Sequence, residues 1–214
     1  MIKPKVAVFV HHPECSVQSA HGIIRALNDN YQVDVVSQAN LKERTLSRYD
    51  ILAFPGGIGD SDSWYKLLQP YQDAVRNYLH NGGRYLGICM GAYWAGPHYF
   101  NFLRNIEPVQ YIKRPNTDVR RSYGTVVPVT WQEHAEFMYF YDGCALINHG
   151  SRAQIVAEYA NGDTAALIQG RVGVIGPHPE SDQYWYSRKN MQPYWHQYLH
   201  HQLLNNFVTE LIQR

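Results

Sequence analysis

Three short segments carry side chains whose types and spacing suit acyl chemistry. They are Phe54-Pro55-Gly56-Gly57-Ile58-Gly59, Gly87-Ile88-Cys89-Met90-Gly91 and Gly176-Pro177-His178-Pro179-Glu180. In the second, a lone cysteine sits between two glycines directly after the apolar run Arg84 to Ile88. A cysteine that only filled core volume would have no use for both glycines, whereas a nucleophile projecting from a tight strand-to-helix corner does. The following helix would aim its N-terminal amides and positive dipole end at the sulfur, favouring thiolate. In the first segment, glycines let backbone N–H groups approach a bound carbonyl, as an oxyanion hole requires. The third segment sets an imidazole at the end of the run Val172 to Ile175, with a carboxylate two residues on. Cys89 as nucleophile, His178 as base and Glu180 as the group that orients the imidazole follow triad logic. Each segment alone has a plain explanation: a core thiol, a Gly-Gly turn, a loop. Together, in this order, they point to attack on an amide or acyl carbon through a thioester.

Such a site needs strands whose carboxyl ends converge. Val6 to Val10, Gln32 to Val36, Ile51 to Phe54 and Arg84 to Ile88 read as strands. Helical patterns at Ser19 to Asn28, at Leu67 to Asn81 and from Met90 onward alternate with them. Apolar strands separated by helices of this length predict a doubly wound α/β fold, a mostly parallel sheet flanked by helices. From about residue 108 the pattern changes to strand-and-turn pieces: Gly124 to Thr130, Glu136 to Tyr141, Ile155 to Tyr159, Thr164 to Gln169 and Arg171 to Ile175. Asn161-Gly162 and Gln169-Gly170 are hairpin-type turn signals. A terminal helix is expected from about Pro193 to Ile212. No linker, repeat or low-complexity tract interrupts the chain, so residues 1–214 read as one domain.

The chain has 214 residues, 45% hydrophobic and 17% charged, which supports a well-buried core and argues against disorder. A net charge of +1 gives no bias toward nucleic acid or an anionic membrane. Three cysteines without a CxxC pair suggest neither a disulfide framework nor a zinc site. The N-terminal run is short and followed by His11, His12, Pro13 and Glu14, unlike a signal peptide. No apolar run reaches the roughly 18–20 residues of a membrane helix. The expectation is a soluble, cytoplasmic protein with no cofactor and no metal. Aromatic residues, 14% of the chain, suit packing and pocket walls alike.

The set FPGG, GICMG and GPHPE resembles the class I glutamine amidotransferase superfamily, a flavodoxin-like α/β fold. Within it, FPGGIGD, GGRYLGICMGAYWAG, FYDGCALI and IVAEYANGDTAALIQGRVGVIGPHPE are similar to the N-terminal domain of biotin protein ligases, which also occurs free-standing. The likeness spans roughly residues 4 to 181. It implies Cys89, His178 and Glu180 as the catalytic residues, Gly57 and Met90 as oxyanion-hole amides, and substrate contacts at Gly56 and Tyr93. Amidotransferases usually carry Gln four residues after the nucleophile; Tyr93 stands there, which argues against glutamine as substrate. The implied substrate is a small amide or acyl compound, and any ammonia acceptor would be a separate synthetase or ligase. The alternative is a binding or regulatory module that keeps the fold without turnover.

Other candidates are weaker. A carboxylate at Glu14 would lie near the same sheet edge, as in cysteine hydrolases of the ThiJ/PfpI group, which typically lack a His-Pro-Glu ending. His196 and His200 share a helix face at zinc-ligand spacing, but with no HExxH pattern and no third ligand in view they are expected on a solvated or interface face. Cys15 and Cys144 read as structural.

Overall fold

Side-chain alternation along the first strand sets the architecture. β1 (Lys5–Phe9) buries Val6 and Val8 in one apolar cluster and Ala7 and Phe9 in another. Only a strand covered on both faces can do this. The computed structural model describes residues 3–10 and 17–214; His11, His12, Glu14 and Cys15 lie outside the described residues. After β1 come α1 (Val17–Leu27), β2 (Gln32–Val36), α2 (Glu43–Leu46), β3 (Ile51–Phe54), α3 (Ser61–Lys66), α4 (Gln72–His80), β4 (Arg84–Ile88) and α5 (Met90–Trp94). The second half runs β5 (Ile106–Gln110), β6 (Thr125–Trp131), β7 (His134–Phe140), β8 (Cys144–Asn148), β9 (Gln154–Tyr159), β10 (Thr164–Gln169), β11 (Val172–Ile175) and α6 (Leu199–Ile212).

All these strands join one sheet in the order β2-β1-β3-β4-β11-β10-β9-β6-β7, with β5 and β8 paired to each other and β8 also to β10. From β2 to β11 the pairings are parallel; from β11 onward they are antiparallel. The α/β expectation holds, and the parallel half is the part that carries the three segments. α1 and α6 cover one face through Ile23, Leu27, Leu204, Phe207 and Leu211. α2 to α5 cover the other through Leu46, Tyr65, Val75, Tyr78 and Trp94. Among the described residues, no helix is long and apolar enough to cross a membrane.

Several boundaries differ from expectation, for local reasons. The helix expected over residues 67–81 begins only at Gln72, and a separate, unanticipated α3 precedes it, capped by Asp60, whose carboxylate accepts the Ser63 N–H at 3.0 Å. Pro70, which has no N–H, then sits in a 3₁₀ turn before α4 begins at Gln72. α5 ends after five residues, before Gly96-Pro97. The terminal helix starts at Leu199, not near Pro193, because Gln197 and Tyr198 take left-handed φ of 48° and 67°. The turns at Asn161-Gly162 and Gln169-Gly170 do join antiparallel pairs, with Gly162 and Gly170 at positive φ. β5 and β8 were not anticipated; β5 holds Glu107, Pro108 and Gln110 in five residues, too polar to read as a strand.

Candidate active site

Three adjacent parallel strands, β3, β4 and β11, end level with one another: Phe54 pairs with Gly87, and Ile88 with Ile175. Parallel strands deliver the segments after them to the same edge. Gly56-Gly57, Cys89 and His178 therefore emerge side by side. Cys89 has φ 50° and ψ −104°, a conformation that non-glycine residues adopt at a cost of about 1–3 kcal/mol. Its N–H donates to the Ile175 carbonyl at 2.8 Å, and its carbonyl accepts from Ala92 and Tyr93 at 3.0 and 3.1 Å, opening α5. The flanking glycines are obligatory by space. A Cβ on Gly87 would overlap the Gly91 carbonyl, and one on Gly91 would overlap the Phe54 carbonyl. Gly91→Ala is expected to push α5 off β3 and cost about 2 kcal/mol or more, read as a lower urea midpoint with unchanged slope.

His178 is pinned by its N–H to the Tyr139 carbonyl (2.8 Å), and its ring packs edge-on against Tyr139 and Trp185. Its Nδ1 lies 2.8 Å from Glu180 Oε1; both side chains are buried, at 4% and 0% exposure. Nε2 is also buried and has no hydrogen-bond partner of normal geometry. A Cβ built on Gly56 would fall 2.5 Å from His178 Cε1 and 3.3 Å from Cys89 Cβ, so the ring and the cysteine flank one point. Burial alone would push the imidazole pKa down, but the Glu180 carboxylate and then Cys89 more than reverse it, holding it up to about 10. Cys89 Sγ donates to the Tyr141 carbonyl at 3.4 Å.

Cys89 opens into a cleft of about 530 Å³ whose walls include Gly57, Met90, Tyr93, Tyr99, Tyr141 and Asp142. The Met90 N–H, as the first of a helix, has no intrahelical acceptor. Tyr93 lines the cleft, donates to the Asp142 carbonyl at 3.2 Å, and has its phenol pushed far above the usual range by burial. Gly56, expected as a substrate contact, lies behind Gly57 with its backbone turned to α1. It is not on the cleft wall, and its N–H donates to Ser19 Oγ at 2.9 Å. Its missing Cβ makes room for the histidine instead.

Sequence reasoning missed Ser19, whose hydroxyl lies 2.6 Å from Glu180 Oε1. No signal in the sequence marks it, because its partners, Gly56 and Glu180, come from other elements. Asp142 was missed as well. His196 and His200 are not on a solvated helix face: both are buried, His196 lies before α6, their rings stack at 3.9 Å, the His200 N–H donates to His196 Nδ1, and His200 Nε2 meets Glu136 at 3.1 Å. Burial, then the neighbouring His200 and His201, pushes His196 down to about 2. Among the described residues, no cluster of three or more His, Cys, Asp or Glu is disposed to hold a metal. Cys144 is fully buried in β8, where burial pushes its thiol pKa well up.

Residues 10–108 match the family model "Biotin-protein ligase, N terminal". No curated protein matches the chain in sequence. Among solved structures, a glutamine amidotransferase from Thermotoga maritima superposes with a TM-score of 0.70 at 13% identity, covering 100% of both chains. A second glutamine amidotransferase gives 0.67 at 18% identity, with 98% of this chain and 99% of the other covered. A third, from Methylobacillus flagellatus, gives 0.59 at 10% identity, covering 100% of this chain and 94% of the other. By fold the chain is glutamine amidotransferase-like, and its residues 10–108, which hold the motifs FPGG and GICMG, match the biotin-protein ligase N-terminal model, as the resemblance implied for that part of the chain.

Proposed function

We propose that the protein is a cysteine-dependent amidohydrolase or amidotransferase that works through a thioester. The observation that carries this is the buried, unpartnered Nε2 of His178, next to a cysteine held on a strained corner. With the imidazole protonated at neutral pH, Nε2–H is a donor waiting for either the Cys89 thiolate or a leaving nitrogen. Cys89 sulfur attacks the carbonyl carbon, and the Gly57 and Met90 N–H groups receive the oxyanion. His178 gives its proton to the departing amine, leaving a thioester. It then takes a proton from water, which attacks the thioester and releases the acid and the thiolate. Glu180 holds Nδ1–H and balances the imidazolium charge.

The substrate is a small amide or acyl compound other than free glutamine. Tyr93 replaces an amide that could both donate and accept with a ring whose one hydroxyl is committed to the Asp142 carbonyl. Sites that bind a polar substrate reject it strongly when partners are lost. The isolated protein is therefore expected to release little ammonia from glutamine, and Tyr93→Gln is expected to raise that rate by about tenfold or more. Vigorous release by the unmodified protein, abolished by Cys89→Ala, would disprove this substrate assignment while supporting the nucleophile. Any ammonia formed would pass to a separate synthetase or ligase.

A second reading has one observation behind it. The Cys89 thiol donates to the Tyr141 carbonyl, a contact that suits a binding module without turnover. Brief iodoacetamide treatment with peptide mapping separates the two. The enzyme reading expects Cys89 to label first of the three cysteines, and equal or absent labelling supports the binding module.

A further inference from the structure

We propose that Ser19 is a positioning residue whose hydroxyl ties the oxyanion loop to the Glu180 carboxylate and fixes the proton arrangement of His178. The inference rests on the Cys89–His178–Glu180 reading and extends it to α1. Ser19 is buried, and its Oγ sits between the Gly56 N–H at 2.9 Å and Glu180 Oε1 at 2.6 Å.

The direction of each hydrogen bond follows from one fact: a backbone N–H only donates. Ser19 Oγ therefore accepts from Gly56, and its single proton goes to Glu180. A separation of 2.6 Å is that of a hydroxyl donating to an ionised oxygen. Glu180 Oε1 then has no proton of its own, so the 2.8 Å contact with His178 requires Nδ1–H as donor. This leaves Nε2 to face the chemistry.

Three further observations give the hydroxyl this weight. Among the described residues, His178 and Ser19 are the partners of the Glu180 carboxylate, and Oε2 has none. Gly22, one turn along α1, lies so close to the Glu180 carbonyl that a Cβ there would overlap it, which fixes the spacing of helix and loop. Turning the Gly56 N–H toward Ser19 leaves Gly57, not Gly56, on the cleft wall. The other polar groups around this loop are turned to different tasks. His201 Nε2 contacts the Glu180 and Ser181 carbonyls at 3.2 and 3.1 Å, and Asp182 pairs with Arg25 at 2.9 Å.

The test is a double-mutant cycle read by the rate of Cys89 alkylation with iodoacetamide at pH 7, which requires no substrate. Ser19→Ala is expected to slow Cys89 labelling by about tenfold, the weight of one hydrogen bond to a charged group. In a Glu180→Gln background the same change is expected to do less than about twofold, because Ser19 acts through that carboxylate. Ser19→Thr, which keeps the hydroxyl, restores the rate. The downfield Nδ1–H proton resonance of His178 is expected in the unmodified protein and in Ser19→Thr, and to broaden in Ser19→Ala. Cys144 reports on the fold, since it stays unlabelled while the core is intact. If Ser19→Ala exposes it, Ser19→Thr decides: an unmodified rate and resonance support the proposal, and a rate like that of Glu180→Gln overturns it. An unchanged rate in Ser19→Ala, or an equal loss in both backgrounds, overturns the proposal while leaving the nucleophile in place. A Cys89 no more reactive than Cys144 in the unmodified protein overturns the enzyme reading itself.

Discussion

Cys89→Ala is expected to lower hydrolysis of any accepted amide or acyl substrate by on the order of 10⁵-fold, to the level left by binding and the oxyanion amides alone. The variant removes the nucleophile without disturbing the corner, because alanine meets the same steric limits at φ 50° as cysteine. Cys89→Gly should be equally inactive and yet more stable. Glycine relieves about 1–3 kcal/mol of backbone strain at an entropic cost of about 0.5–1 kcal/mol, for a net gain of about 1 kcal/mol. Urea denaturation of the three proteins checks this, and a glycine variant less stable than the alanine one would contradict the strain argument. The expected pairing of lost activity with gained stability distinguishes a nucleophile elbow from a core cysteine. Truncating a core cysteine to glycine would open a cavity and destabilise.

How much of this was legible in the sequence depends on whether the determining contact is local. β2, β3, β4 and β10 were readable to the residue, because short β-branched or apolar runs bounded closely by turn residues (Asn30 before β2, Pro55 after β3, Gly83 before β4, Gly170 after β10) specify a strand within a few positions. Cys89 was readable because the elbow needs glycines at fixed offsets from it, where Gly87 and Gly91 press on backbone carbonyls. Ser19 was not, because nothing in the helix Val17–Leu27 requires a serine; its partners lie 37 and 161 residues away. Gly56 was noticed because a glycine lets its backbone N–H approach a bound carbonyl, while the constraint in the fold is a histidine ring brought in by β11. β8 escaped because Cys144 to Asn148 carries its partners elsewhere, on β5 and β10. The polar side of the site is tertiary, and a linear pattern records only the half that folding makes locally.

Glu180→Gln is expected to move the His178 titration from about 10 to below its ordinary 6.5, and to cut turnover at pH 7 by about 10³-fold. Two opposing influences act on the ring. Burial favours the neutral imidazole, and the Glu180 charge, then Cys89, favours the imidazolium. Glutamine keeps the size and an oxygen that accepts Nδ1–H, but carries no charge, so burial prevails and the ring is neutral at pH 7. A neutral Nε2 has no proton for the leaving amine, and the thiolate loses its counter-charge. The sign of the stability change follows from the same shift. In the unmodified protein the folded-state pKa lies above the unfolded value, so this contribution is full below about 6.5 and is lost as pH rises through about 10. In the variant the folded-state value lies below, so the contribution is present above pH 6.5 and is lost as pH falls. Histidine-detected NMR titration gives the first quantity, and urea midpoints at pH 6 and pH 10 give the second. The unmodified protein should lose stability between those values more steeply than the variant. A His178 midpoint that stays near 10 in Glu180→Gln would remove Glu180 from the role of charge partner, and the Cys89 thiolate would have to hold the imidazolium alone.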